Sequence, residues 1–231
     1  LTQTPLPDLQ SKAVTGSVAN GASSRTVISR TGARIAFASD ASNLVVGDGN
    51  GRSDVYSRDP LSGAISRASA AAEAINGGAQ ESFSDPALSA DGARVAYVGS
   101  SGQVYANLGT AARIVSRSAG GVPGNGPSGK VQMPGLGALA FFESAATNLL
   151  TSADGNGSVS DIYVTDLGSG AVTLISRGPN GEPANGPSSA PSPTPRSSTR
   201  SPSATRSVKT CARLRRHAES LPSPPWALLS Q

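Results

Sequence analysis

The sequence is poor in the side chains that most often carry chemistry. Its 231 residues include one cysteine, Cys211, and one histidine, His217, both in the last stretch of the chain. A lone thiol closes no intrachain disulfide and builds no cysteine metal cluster. Residues 1–192 contain neither His nor Cys, which removes Ser-His-Asp and Cys-His catalysis and His-ligated zinc from that region. There is no Gly-x-Ser-x-Gly nucleophile elbow. Aromatic residues make up 4% and charged residues 15% of the chain. The longest apolar stretch near the middle, Ala138–Phe142, is far short of the roughly 20 residues of a membrane helix. No Met and no charged-then-apolar leader opens the chain, so no signal peptide is read here and the sequence looks cut from a longer one.

What is abundant is Gly (27) and Pro (17), a composition that suits short strands joined by tight turns. The net charge of +4 is unevenly spread. Residues 191–231 hold seven basic residues against Glu219 alone, leaving twelve basic and fourteen acidic groups in the rest. The basicity belongs to the tail, so no nucleic-acid partner is expected of the folded part.

The stretch RTGARIAFAS (30–39) returns as ADGARVAYVG (90–99), with Gly32 and Gly92 sixty positions apart. A degenerate third copy is GLGALAFFES (135–144). Residues 41–67, beginning Ala-Ser-Asn-Leu, match residues 146–177, beginning Ala-Thr-Asn-Leu, while the middle copy (101–117) lacks the Asn-Leu and Asp-x-Asn-Gly portions. Each copy is read as ending in Ser-Arg, at 66–67, 116–117 and 176–177, with an Asn-Gly loop following at 76–77, 125–126 and 185–186.

Four β-like runs fill each period. They fall at 26–29, 34–39, 54–58 and 64–67, then at 86–89, 94–99, 103–107 and 113–117, then at 130–133, 139–144, 161–165 and 172–177. Large apolar residues on one face and alanines on the other predict burial on both sides, as in stacked sheets.

Four strands per repeat with Gly-rich punctuation is the pattern of a propeller blade. Ser-x-Asp-Gly-x-x-[Val/Ile]-Ala-[Phe/Tyr], followed by Asp-[Val/Ile]-Tyr, Ser-Gly and Ser-Arg, resembles the WD-repeat-like β-propeller repeat of the TolB type. The resemblance covers residues 19–192 and is closest to a long bacterial variant. The expected fold is all-β: a partial β-propeller of about three four-stranded antiparallel blades, at roughly 19–75, 76–124 and 125–184. A fourth blade starts before 192, and residues 1–18 are a remnant of a preceding blade or a linker. Propellers close with about 4–8 blades, so three imply part of a ring. Its open edges should expose apolar residues such as Ile35, Phe37, Leu139 and Phe141 and favour self-association.

After Asn185-Gly186 the period stops, and Pro193 and Pro195 forbid an ordinary inner strand. Residues 193–231 read as a non-propeller tail, either disordered and basic or an out-of-frame translation of the next blade. The one aromatic there, Trp226, stands away from the arginines and offers no stacking platform.

Two loops place oxygen donors at alternate positions around glycine, as at the start of a calcium loop. They are Asp48, Asn50 and Asp54, and Asp154, Asn156, Ser158 and Asp161. Neither has a distal bidentate Glu, and Arg52 stands at the fifth position of the first. The competing reading makes Asp48 and Asp154 Asx turns, with Asp54 and Asp161 opening the next strand. No other cofactor and no catalytic residue is assigned, since no sequence spacing fixes the separation of an acid pair.

The resemblance implies a non-catalytic binding or scaffold module with a protein partner. Its setting would be bacterial and extracytoplasmic: periplasmic, cell-surface or secreted. The alternative is the gating propeller of a larger hydrolase, similar to prolyl oligopeptidase-type peptidases, whose catalytic domain is absent.

Overall fold

The computed structural model describes residues 8–75, 80–109, 111–151 and 156–189. Twelve strands fall into three antiparallel sheets of four, each built in chain order. The first holds β1 (Ser23–Ile28), β2 (Ile35–Ser39), β3 (Asp54–Arg58) and β4 (Ile65–Arg67). The second holds β5 (Phe83–Leu88), β6 (Val95–Gly99), β7 (Val104–Leu108) and β8 (Ala111–Ile114). The third holds β9 (Ser128–Gln132), β10 (Leu139–Ser144), β11 (Asp161–Asp166) and β12 (Val172–Leu174). One short helix, α1 (Ala70–Ile75), follows β4. Among the described residues the protein is otherwise all-β, and the sheets succeed one another as propeller blades. The expected tail, 193–231, lies outside the described residues.

The repeated Gly closes the turn between the first two strands of each blade. Gly32, Gly92 and Gly137 have φ of 73°, 77° and 71°, where a side chain is strained. A Cβ on Gly92 would also lie 2.5 Å from the Cβ of Arg34 in the preceding blade. These turns are linked in series: Thr31 N–H donates to Ala90 O (3.2 Å), and Ala90 N–H donates to Gly135 O (2.7 Å).

Two apolar seams join the sheets. Ala36 and Val55 cluster with Phe83, Val95, Tyr97 and Tyr105 of the second sheet. Ala96, Val104 and Ala106 cluster with Phe142, Tyr163 and Leu174 of the third. The alanines admit the aromatics of the next blade, and at the equivalent place the third sheet has Phe141.

The junction loops share a second device. Asn20 N–H donates to Asn43 Oδ1 (3.0 Å), Asn20 Nδ2 to Ser42 Oγ (3.0 Å), Ser42 N–H to Asn20 Oδ1 (2.9 Å) and Asn43 Nδ2 to Val18 O (2.8 Å). The same four bonds join Asn125 to Thr147 and Asn148, with Pro123 O accepting the fourth, at 2.8–2.9 Å. The Asn-Leu and Asn-Gly motifs of the repeat are thus two halves of one clamp. The middle copy lacks Asn-Leu, and Asn76-Gly77 lies outside the described residues.

Four expectations need correction. The first strands begin three or fewer residues earlier than the alternation suggests, because each carries a bulge that shifts the register (between Ser24 and Val27, and between Ser84 and Ala87). Helix α1 had no signal beyond a run of alanines. Phe37, expected at an open face, is 2% exposed, packed with Ala41, Leu44 and Tyr56 of its own blade and with Ala19; Ile35, Leu139 and Phe141 are half-buried.

The Ser-Arg landmark is also out of register in the first copy. Tyr56 pairs with Arg67, whereas Tyr105 pairs with Ile114 and Tyr163 with Leu174. The equivalent of Ser116 and Ser176 is therefore Ser69, not Ser66. Each of these serines accepts the N–H of the residue just before the tyrosine of the third strand: Val55 (3.1 Å), Val104 (2.9 Å) and Ile162 (3.0 Å).

Candidate functional site

The first strands β1, β5 and β9 are neighbours in succession, so one edge of every sheet converges on a common side. The bulge of each puts one residue in the left-handed region: Arg25 (φ 56°), Asp85 (φ 49°) and Lys130 (φ 48°). This conformation costs an ordinary residue about 1–2 kcal/mol, while Gly, Asn or Asp bears it more cheaply, so the strain falls on Arg25 and Lys130. All three positions instead carry charge.

Stability does not explain that choice. Arg25 Nη1 lies 2.6 Å from Asp85 Oδ1 across the first seam, and Lys130 Nζ lies 3.0 Å from Glu143 Oε2. Arg25 and Lys130 side chains are each 64% exposed; the Arg25–Asp85 pair, open on both sides, contributes only about 0–1 kcal/mol, whereas Lys130 meets a Glu143 side chain that is 11% exposed. The strained backbone therefore presents a row of charges, plus, minus, plus, on a rigid edge. Sequence reasoning missed it; the only available signal was a charged residue interrupting an otherwise alternating strand.

The first candidate calcium loop is drawn together around a different cation. Arg67 Nη1 lies 3.4 Å from Asp48 Oδ1 and 3.2 Å from Asp54 Oδ2, and its Nη2 lies 3.1 Å from Glu73 Oε2. Asn50 Nδ2 donates to Asp54 (3.0 Å) and Glu73 (2.7 Å), while its Oδ1 accepts Arg52 N–H (2.8 Å) in an Asx turn. Tyr56 donates its hydroxyl to Asp48, and Ser69 donates to Asp54. Burial works against the Arg67 charge, but Asp54, Glu73 and Asp48 outweigh it and hold the guanidinium pKa above its usual value. Burial, with Asp48 adding to it, pushes the Tyr56 hydroxyl pKa up. Arg67 sits here because of the register difference: it occupies the place of Ile114 and Leu174.

In the second loop Asn156 Nδ2 donates to Asp161 Oδ2 (2.9 Å) and Ala184 O (2.6 Å), and Asp161 Oδ1 accepts from Ser176 Oγ (2.6 Å). Ser158 is exposed, and Asp154 lies outside the described residues. The place of Arg67 is taken by buried Leu174. Among the described residues no group of three or more His, Cys, Asp or Glu is arranged to hold a metal ion. No described helix is long and apolar enough to cross a membrane.

Sheet order, linked turns and shared seams define the class of the protein: a propeller-type chain of three blades among the described residues. No family model matches the sequence, and no curated protein does. Among solved structures it is similar to TolB from Acinetobacter baumannii, with 15% identity and a TM-score of 0.40, over 67% of this chain and 32% of that one. A putative TolB from Agrobacterium tumefaciens shares 15% identity with a TM-score of 0.42, over 73% of this chain and 51% of that one. The chain thus spans about a third and about half of the lengths of these two proteins.

Proposed function

We propose that the chain is a non-catalytic binding module whose converging edge docks a segment of a partner protein, in a bacterial extracytoplasmic setting. The observation that carries this reading is the row Arg25, Asp85 and Lys130, held in a costly backbone conformation at equivalent places on three successive strands. Rigid sheets fix the spacing of the charges, and preorganised charges favour one arrangement of opposite charges on a partner over others. A protein segment bearing acidic, basic and acidic groups in extended form matches the row. The TolB-type resemblance of the repeats supports the same class of role.

Peptide selection from a displayed library, run against the wild-type chain, tests the reading. The expected ligands are mixed-charge peptides whose binding weakens at least about tenfold on Arg25→Ala/Lys130→Ala and falls with added salt. Selected peptides that bind this variant as well as the wild type would overturn it.

A further inference from the structure

The third junction loop repeats the other two in its backbone. Residues 11–20, 116–125 and 176–185 each contain an isolated antiparallel bridge: Lys12 with Val18, Arg117 with Pro123, and Arg177 with Pro183. In each, an N–H near the end of the loop returns to the carbonyl of its opening serine: Ala19 to Ser11 (3.2 Å), Gly124 to Ser116 (2.8 Å) and Ala184 to Ser176 (2.9 Å). The asparagine that completes the clamp comes next, as Asn20, Asn125 and Asn185. Asn20 and Asn125 are engaged by an Asn-Leu loop. Asn185 is exposed, and no third Asn-Leu loop is offered to it among the described residues.

The chain itself holds a suitable acceptor. Among the described residues, Ser42-Asn43-Leu44 of the first blade is clamped only by the short segment that carries Asn20, in which Val14 and Val18 are exposed. The other acceptor, Thr147-Asn148-Leu149, is already held by Asn125, and its Leu149 packs in the seam between the second and third blades. We propose that a second copy of this chain docks there: Asn185 of one copy replaces Asn20 on the other, and the reverse exchange completes the pair. The exchange trades one set of hydrogen bonds for an equivalent set, as in domain swapping, so its cost at the clamp is small.

The apolar faces favour the same arrangement. The third blade's side facing away from its neighbour carries Phe141 and Ile162, both half-buried, at the places where Ala36 and Val55 of the first blade receive the second. Two copies of three blades make six, within the range of about 4–8 in which propellers close. Such a pair forms the same head-to-tail junction twice about a two-fold axis. This proposal rests on the junction loops and is independent of the charged row.

Light scattering coupled to size-exclusion chromatography tests it on the full 231-residue chain over a range of concentrations. The wild type should show a concentration-dependent species of twice the chain mass. Asn185→Ala removes the two side-chain hydrogen bonds of the clamp at each junction and should raise the dissociation constant at least about tenfold. Asn20→Ala frees the acceptor loop and should lower it. Thermal melts followed by circular dichroism report whether each variant is folded. Since Asn185 is exposed, the comparison of Asn185→Ala with wild type stands even if Asn20→Ala does not fold. A monomer at every concentration, equal association of Asn185→Ala and wild type, or a ladder of larger species in place of the pair would each overturn the proposal.

Discussion

Arg67 lies directly across from Tyr56 on the neighbouring strand, where the other two blades set Ile114 beside Tyr105 and Leu174 beside Tyr163. One cation in an apolar position has gathered Asp48, Asp54 and Glu73 around it. Arg67→Met keeps the volume but leaves three carboxylates without their counter-charge. Removing one partner of a buried charge group costs about 3–5 kcal/mol, so the melting temperature should drop sharply. Added calcium should restore part of the variant's loss while leaving the wild-type melting temperature unchanged. Calorimetry with calcium and with chelator checks both outcomes; a variant as stable as wild type would contradict the packing described for Arg67.

The turn glycines are predicted to be unequal to any other residue. Gly92→Ala adds a Cβ in a left-handed turn and drives it into Arg34. The strain and the contact together should cost about 1–3 kcal/mol. Urea denaturation of the variant reads this as a lower midpoint with an unchanged slope.

Asn125 and Asn148 act as one unit, so their substitutions should not add. Either alanine variant breaks side-chain bonds of the same clamp, and the double variant should lose little more than the worse single one. A double-mutant cycle by chemical denaturation should give a coupling of about 0.5–3 kcal/mol. Additive losses would show that the four bonds are independent.

Three turn aspartates, Asp91 exposed and Asp59 and Asp166 half-buried, report on acid stability. The backbone N–H groups of Ser169 and Gly168 lower the Asp166 pKa, those of Ser62 and Leu61 lower that of Asp59, and the Ser89 hydroxyl, with Ala93 N–H, lowers that of Asp91. A carboxylate with a depressed folded pKa contributes stability that is fully present above its unfolded value, 3.8 here, and is lost as pH falls through the folded value. Stability should thus fall below about pH 4, and the Asp59→Asn/Asp91→Asn/Asp166→Asn variant should show a shallower fall there than wild type. Melting temperatures between pH 2 and pH 7 measure it.

The repeats made the sheets legible because each blade must solve the same packing problem. Gly32 and Gly92 mark turns that no other residue closes as cheaply, and Ala36 and Ala96 mark the seam that aromatics enter. The Asn-Gly and Asn-Leu motifs were visible too, but nothing in their spacing showed that they bond to each other. The Ser-Arg landmark misled because Ser66-Arg67 and Ser69 compete for the same match three residues apart. Only the pairing of Arg67 with Tyr56 decides between them. The charged row was hidden because a bulge breaks the alternation from which strands are read.

The hydrogen bonds that run from Thr31 to Ala90 and from Ala90 to Gly135 tie each blade only to its immediate neighbours. Such an array behaves as a one-dimensional lattice, in which a unit's resistance to opening depends on how many neighbours it has. The middle blade has two, and each outer blade has one. In the dilute, unpaired chain, amide exchange should therefore be slowest around Ala96 and Tyr105 and quicken toward β1 and β12, so that a single copy frays from its two ends inward.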